Sequence, residues 1–206
     1  MVRTVKKPEE RRQEIVAAAR ELFQQQQYEK TTMKDVMDKL EIAKGTIYHY
    51  FKSKEELLEA VIEQTVDEYI AAMQALLNET EGNALDRMQV LITSGNVAEE
   101  HEQILEHLHH PGNIGMHTRQ LAVTISRLAP LYASVIKQGC EQDIFQTEHP
   151  LECAEFLLTG IQFLTDIGIY PWNQEDLVRR AMAIPTLIEA QLKAPKGSFN
   201  FLVDKI

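Results

Sequence analysis

Apolar residues recur along most of the chain at intervals of three and four, the spacing that puts side chains on one face of a helix. Ile15, Ala19, Leu22 and Phe23 fall at i, i+4, i+7 and i+8. Met33, Val36, Met37 and Leu40 repeat the pattern over a shorter span, and Ile47 and Phe51 restart it out of phase. Leu58, Val61, Ile62, Thr65, Tyr69, Ala72, Met73 and Leu76 then carry one mostly apolar stripe toward Asn78. A helix of about 25 residues reaches roughly 37 Å at 1.5 Å per residue. Further stripes follow at Leu85, Met88 and Ile92, at Ile104, Leu105 and Leu108, and at Leu121, Ile125, Leu128, Tyr132 and Val135. No segment has the period of a strand, and no internal repeat is present. The pattern predicts an all-α chain.

Polar punctuation sets the ends of these helices. Pro8 with Glu9 and Glu10 opens the first, because proline suits the first turn and carboxylates favour the positive end of the helix dipole. Thr32 with Asp35, Ser53 with Glu56 and Asn83 with Asp86 place a capping side chain three residues before an acidic one. Gly82, Gly95-Asn96 and Pro111-Gly112 are breaks, Pro130 removes one ladder bond and predicts a kink, and 139–149 reads as a loop. Pro150 opens a helix that is apolar nearly all the way round, so either the core encloses it or a partner subunit covers its second side. A last helix follows Asn173 and is bent at Pro185, with Ala181 and Ala183 small enough for close packing.

Composition changes this picture little. The 206 residues, 44% hydrophobic and 25% charged, are enough for one or two domains with a real core. With no uninterrupted apolar run and no apolar leader core, neither a membrane span nor export is indicated, and a cytoplasmic location with no membrane partner is the expectation. Cys140 and Cys153 read as buried reduced thiols. Charge changes more. The net charge is −10, yet residues 1–52 hold 11 Lys and Arg against 8 Asp and Glu. A mildly basic head can meet phosphate, while the acidic remainder discourages indiscriminate adhesion to nucleic acid.

Two short helices within 32–51, joined by a tight break, form a helix-turn-helix, whose second helix enters the DNA major groove. Thr31, Lys34 and free backbone N–H groups at the entrance of the first suit a phosphate. This arrangement, followed at once by T-I-Y-H-Y-F-K-S-K-E-E-L-L and a long helix, resembles the TetR family of bacterial transcriptional regulators over Gln13 to Val61. The resemblance implies DNA contacts by Thr32, Lys34, Lys44, Gly45, Thr46, Tyr48, His49 and Lys54, with Ile47 and Phe51 buried. Physical chemistry agrees: Gly45 permits close approach, Lys44 reaches guanine O6 and N7, and Thr46 touches a thymine methyl or phosphate. Lys34, Lys52, Lys54, Tyr48 and His49 hold register on the phosphates. Two positions depart from the family pattern: Glu41 stands where glycine is usual, and Met37 where a small alanine is usual.

The remaining candidate chemistry is thin. His101, His107, His109, His110 and His117 lie among glutamates, but without a recognised ligand spacing; a solvated or pocket-lining role is expected, and no metal or other cofactor. No catalytic constellation stands out. The expected organisation is a DNA-binding domain over 1–52, a helical regulatory and dimerisation domain over 53–193 and a tail over 194–206. The expected partners are a palindromic double-stranded operator, a second copy of the chain through the last two long helices, and a small-molecule effector. Met88, Ile92, Leu108, Ile125, Tyr132, Phe156 and Phe163 are the pocket candidates. An interaction protein without specific DNA binding and a small helical enzyme are the alternatives.

Overall fold

A computed structural model describes residues 7–94 and 114–204. Among these residues the chain forms α1 (Pro8–Gln26), α2 (Met33–Leu40), α3 (Lys44–Tyr50), α4 (Lys54–Glu79), α5 (Ala84–Ser94), α6 (Ile114–Glu141), α7 (Pro150–Thr165) and α8 (Gln174–Leu192), with a 3-10 turn at Asn200–Leu202 and no strand. The basic arm at Arg3 and Lys6, the expected helix around Ile104 to Leu108, its breaks at Gly95-Asn96 and Pro111-Gly112, and four of the five clustered histidines lie outside the described residues.

The described residues fall into two compact units, with α4 passing from one to the other at Asp67. In the first, Ile15, Ala19 and Phe23 of α1 are buried with Val36 of α2, Ile47 of α3, Phe51, and Leu57, Leu58 and Val61 of α4. The first turns of α4 therefore belong to this core. Of the apolar face of α2 only Val36 is buried; Met33, Met37 and Leu40 are half-buried.

The caps form as their chemistry requires. Asp35 N–H donates to Thr32 Oγ1 at 3.2 Å, and Thr32 N–H donates back to Asp35 Oδ2 at 2.7 Å. Those bonds to Thr32 hold the Asp35 carboxyl below its usual pKa. Asn83 and Asp86 make the same reciprocal pair at α5. At α4 the box is displaced: Glu56 N–H donates to Ser53 Oγ, but the Glu56 carboxylate accepts from Lys52 N–H at 2.6 Å, one residue earlier than expected.

In the second unit α5 packs on α6, α6 on α7, and α7 on α8. Met88, Leu91, Leu131, Val135, Ile136, Phe145, Ala154, Ile188, Leu192 and Phe199 make its core. α6 continues through Pro130 and stops at Glu141, so the loop is shorter than the sequence suggested. Gly139 is required there, because a Cβ would overlap the Phe145 ring. Residues after α8 join the same core. Phe199 is fully buried, and the Glu189 carboxylate accepts from Gly197 N–H at 2.8 Å and Phe199 N–H at 3.3 Å. Of the two thiols, Cys153 is buried and Cys140 only half-buried; both are free.

Candidate nucleic-acid interface and effector cavity

The helix-turn-helix is fixed by backbone conformation as much as by packing. Glu41 closes α2 in the left-handed region, at φ 51° and ψ 42°. Its N–H reaches Asp38 O at 3.3 Å, and Ile42 N–H reaches Met37 O at 3.0 Å. This is the terminating pattern that glycine usually serves, adopted here by a residue with a Cβ. Ala43 precedes α3 and offers no capping side chain, so the first N–H groups of α3 have no side-chain partner from it.

Burial divides α3 cleanly. Ile47 and the following Phe51 point inward, while Lys44, Gly45, Tyr48 and His49 face solvent and Thr46 is half-buried. Tyr48 is 41% exposed, well outside the range for a packed aromatic, and the Lys44 ammonium lies 5.6 Å from its ring centroid. Packing would not explain the glycine: a Cβ at Gly45 would meet no heavy atom within 4 Å. Thr32, Lys34 and Lys52 are exposed as well, so α3 and both its flanks offer hydroxyl, amine and imidazole groups to solvent.

Two neighbouring residues are engaged within the protein. Thr31 is buried, with its hydroxyl donating to Gln27 O at 2.8 Å, and so it secures the α1–α2 connection rather than standing open to a phosphate. Lys54 donates to Tyr28 O at 2.9 Å with its ammonium 4.0 Å from the Tyr28 ring centroid. Burial, with Glu55 and Glu29 nearby, pushes the Tyr28 pKa up to about 12. Sequence reasoning missed Tyr28 in this role; the signal was an aromatic in an otherwise polar connection.

The second unit encloses a cavity of about 510 Å³, inside the range of roughly 300–1,000 Å³ usual for small-molecule sites. Of the pocket candidates, Met88, Ile92 and Tyr132 are placed in its wall. Ile125 is buried but does not line it, and Phe163 is half-buried and also absent from its wall. Phe156 is 68% exposed and lies instead along an outer groove between α7 and α8. Leu108 lies outside the described residues. Tyr69, Gln162 and Leu202 were missed. Gln162 carried a usable signal, being a lone amide in the apolar run of α7, whereas Tyr69 was indistinguishable from other members of the α4 stripe.

His117 is buried rather than solvated, with its Nε2 3.1 Å from Asp166 Oδ2. Asp166 Oδ1 also accepts from Gly168 and Ile169 N–H, so this pair ties the start of α6 to the α7–α8 connection. Among the described residues no group of three potential ligands is placed to hold a metal ion, and no helix is long and apolar enough to cross a membrane.

Comparison with known proteins places these features in a family. The profile of the bacterial regulatory proteins of the tetR family matches residues 15–61, and that of the tetracyclin repressor-like C-terminal domain matches residues 95–186. The HTH-type transcriptional repressor KstR2 of Mycolicibacterium smegmatis is 32% identical over 98 residues, 48% of this chain and 47% of that protein. That match spans about half the relative's length. KstR2 of Mycobacterium tuberculosis is 25% identical over 142 residues, 67% of this chain and 70% of that protein. A solved transcriptional regulator from Cytophaga hutchinsonii shares the fold at a TM-score of 0.63 and 20% identity, covering 87% of this chain and 95% of that one. The chain belongs to the TetR family of bacterial regulatory proteins, a family of helix-turn-helix transcriptional regulators.

Proposed function

We propose that the chain is a dimeric transcriptional repressor that binds a palindromic operator and is released from it by a small molecule held in the second unit. The observation that carries the DNA reading is the division of α3, which buries Ile47 and leaves Lys44, Gly45, Tyr48 and His49 in solvent with no acidic residue among them. Lys44 and Thr46 read base edges, and Gly45 brings the helix close to the sugar-phosphate chain. Lys34, Lys52, Tyr48 and His49 contact phosphate. Lys54 joins them only by leaving the Tyr28 carbonyl, so its contribution is smaller than its position implies.

A dimer is supported by the outer faces of α7 and α8. Phe156, Leu164, Met182 and Leu187 are exposed there, and Leu187 is 60% accessible. An apolar surface of this kind, with Gly160 and Ala183 allowing close approach, suits helix packing against a second copy. Two-fold symmetry would then set the two α3 helices about one DNA turn apart, near 34–36 Å. An effector acts by favouring a spacing that does not match the operator. It shifts the equilibrium only by its differential affinity for the two spacings.

Fluorescence anisotropy with duplexes from the chain's own upstream region tests this reading. Binding should weaken steeply with salt, since several cationic contacts release counterions. Failure to bind any such duplex at low salt would refute it.

A further inference from the structure

The wall of the 510 Å³ cavity constrains what can occupy it. Among the described residues that line it there is no Lys, Arg, His, Asp or Glu; the polar groups are Tyr69, Thr124, Tyr132 and Gln162, and the rest are apolar. Among the described residues nothing would supply a counter-charge to a charged molecule buried there, so the hydration it loses on entry would go uncompensated. A pure hydrocarbon would leave the tyrosine hydroxyls without the water they can hydrogen-bond in an empty cavity, which is also unfavourable.

The tyrosines form a unit. Tyr69 comes from α4 and Tyr132 from α6, and burial raises the pKa of both, with Tyr69 adding to the effect on Tyr132. Both therefore remain protonated donors over the physiological range. Neither hydroxyl hydrogen-bonds another described residue. The Thr124 hydroxyl accepts from Gln120 Nε2 at 3.2 Å, which holds it as a secondary partner.

We infer that the cavity takes an uncharged, mainly apolar molecule bearing a hydroxyl or carbonyl oxygen, and that Tyr69 and Tyr132 are the groups that hydrogen-bond this oxygen. The inference rests on the reading of the cavity as an effector site, and it names the class of molecule that site accepts. Aliphatic walls from α5, α7 and α8 surround the remainder of the ligand, with Gln162 available to a second polar group.

The test uses the full chain and three matched probe sets: cyclic and bicyclic ketones, alcohols and phenols; the hydrocarbons lacking the oxygen; and the carboxylates and amines of the same skeletons. 4-Phenylcyclohexanone, phenylcyclohexane and 4-phenylcyclohexanecarboxylate make one such series. Binding is measured by equilibrium dialysis without DNA, and duplex release is measured separately. Neutral oxygenated probes should bind at least tenfold more tightly than their hydrocarbon and charged counterparts. Tyr69→Phe and Tyr132→Phe, which keep the ring that packs the wall, should each reduce that preference roughly three- to tenfold, as expected for one lost hydrogen bond. Their unfolding midpoints should stay within a few degrees of the parent.

Tighter binding of the charged set, equal binding of hydrocarbon and ketone, unchanged preference in both Phe variants, or no binding by any set would overturn the inference. Because retention is read without DNA, a chain that binds ketones but keeps its operator contradicts effector release alone. A chain that binds DNA but fails to discriminate the probes contradicts the ligand class alone.

Discussion

Replacing Gly45 by alanine separates stability from DNA binding more sharply than any other change in α3. Gly45 is the second residue of a seven-residue helix, and an added Cβ has no heavy atom within 4 Å. Within the protein the methyl group is thus free of overlap. Alanine is favoured over glycine by about 0.5–1 kcal/mol in a helix interior, and about half of that applies in a first turn. A gain of about 0.3–0.5 kcal/mol corresponds to a rise of roughly 1–2 °C in the unfolding midpoint of a chain of this size. At the DNA surface the same methyl group stands where the backbone must approach sugar and phosphate. A shift of the helix by even a fraction of its contact distance loosens the bonds from Lys44 and Thr46 together, at a cost of at least about 1.4 kcal/mol, or tenfold in Kd. Differential scanning fluorimetry and anisotropy on one preparation read the two effects. A Gly45→Ala chain that is no less stable but binds at least tenfold more weakly supports the interface. One that binds DNA as tightly as the parent would refute close approach at Gly45.

Other consequences follow from single residues. Glu41→Gly relieves about 1–2 kcal/mol of left-handed strain and adds back about 0.4–1 kcal/mol of unfolded-chain entropy, so denaturant melts should show a net gain of about 0.5–1 kcal/mol. Asp35 has a folded pKa below its unfolded value, so its contribution is present above the unfolded value near 3.8 and is lost as pH falls through the folded one. Acid unfolding of Asp35→Asn should accordingly lose part of its pH dependence below pH 4. Gly139→Ala should cost about 1–3 kcal/mol, because the buried Phe145 ring has no room to move aside. Leu187→Glu should convert the proposed dimer to monomer in analytical ultracentrifugation while leaving the helix content unchanged; a dimer of parental stability would place the interface elsewhere.

How much of this the sequence disclosed depended on whether the determining physics was local. Helix starts at Thr32, Asn83 and Asn173 were legible because a capping side chain and the N–H it serves lie within three residues. The recognition helix was legible from Ile47 and Phe51 standing four apart, and the resemblance to the family told Ile47, which is buried, from Tyr48, which is exposed. Glu41 was legible as a departure at a position where glycine is usual, and it adopts there the left-handed conformation that glycine would take. What escaped were pairings that form only when distant segments meet. Nothing near Lys54 in the chain announces that its ammonium lies against Tyr28, 26 residues away. Phe156 and Phe163 were offered for the pocket on hydrophobicity, which does not distinguish the inner face of α7 from its outer one. The segment after Leu192 looked like a tail because nothing local shows that Phe199 is buried, that Phe201 and Leu202 pack on the same core, or that Glu189, a carboxylate that reads as surface charge, accepts from the backbone there.

The central claim is that the exposed face of α3 reads a two-fold symmetric DNA sequence. Selection of bound fragments from a random duplex pool, run in parallel with the parent chain, Lys44→Ala and Lys34→Ala, measures it directly. The parent should enrich a palindrome with half-sites about one turn apart. Lys44→Ala should relax preference at one position of each half-site, and Lys34→Ala should weaken all fragments alike. Enrichment of no motif by the parent chain, or an identical motif from Lys44→Ala, would contradict it.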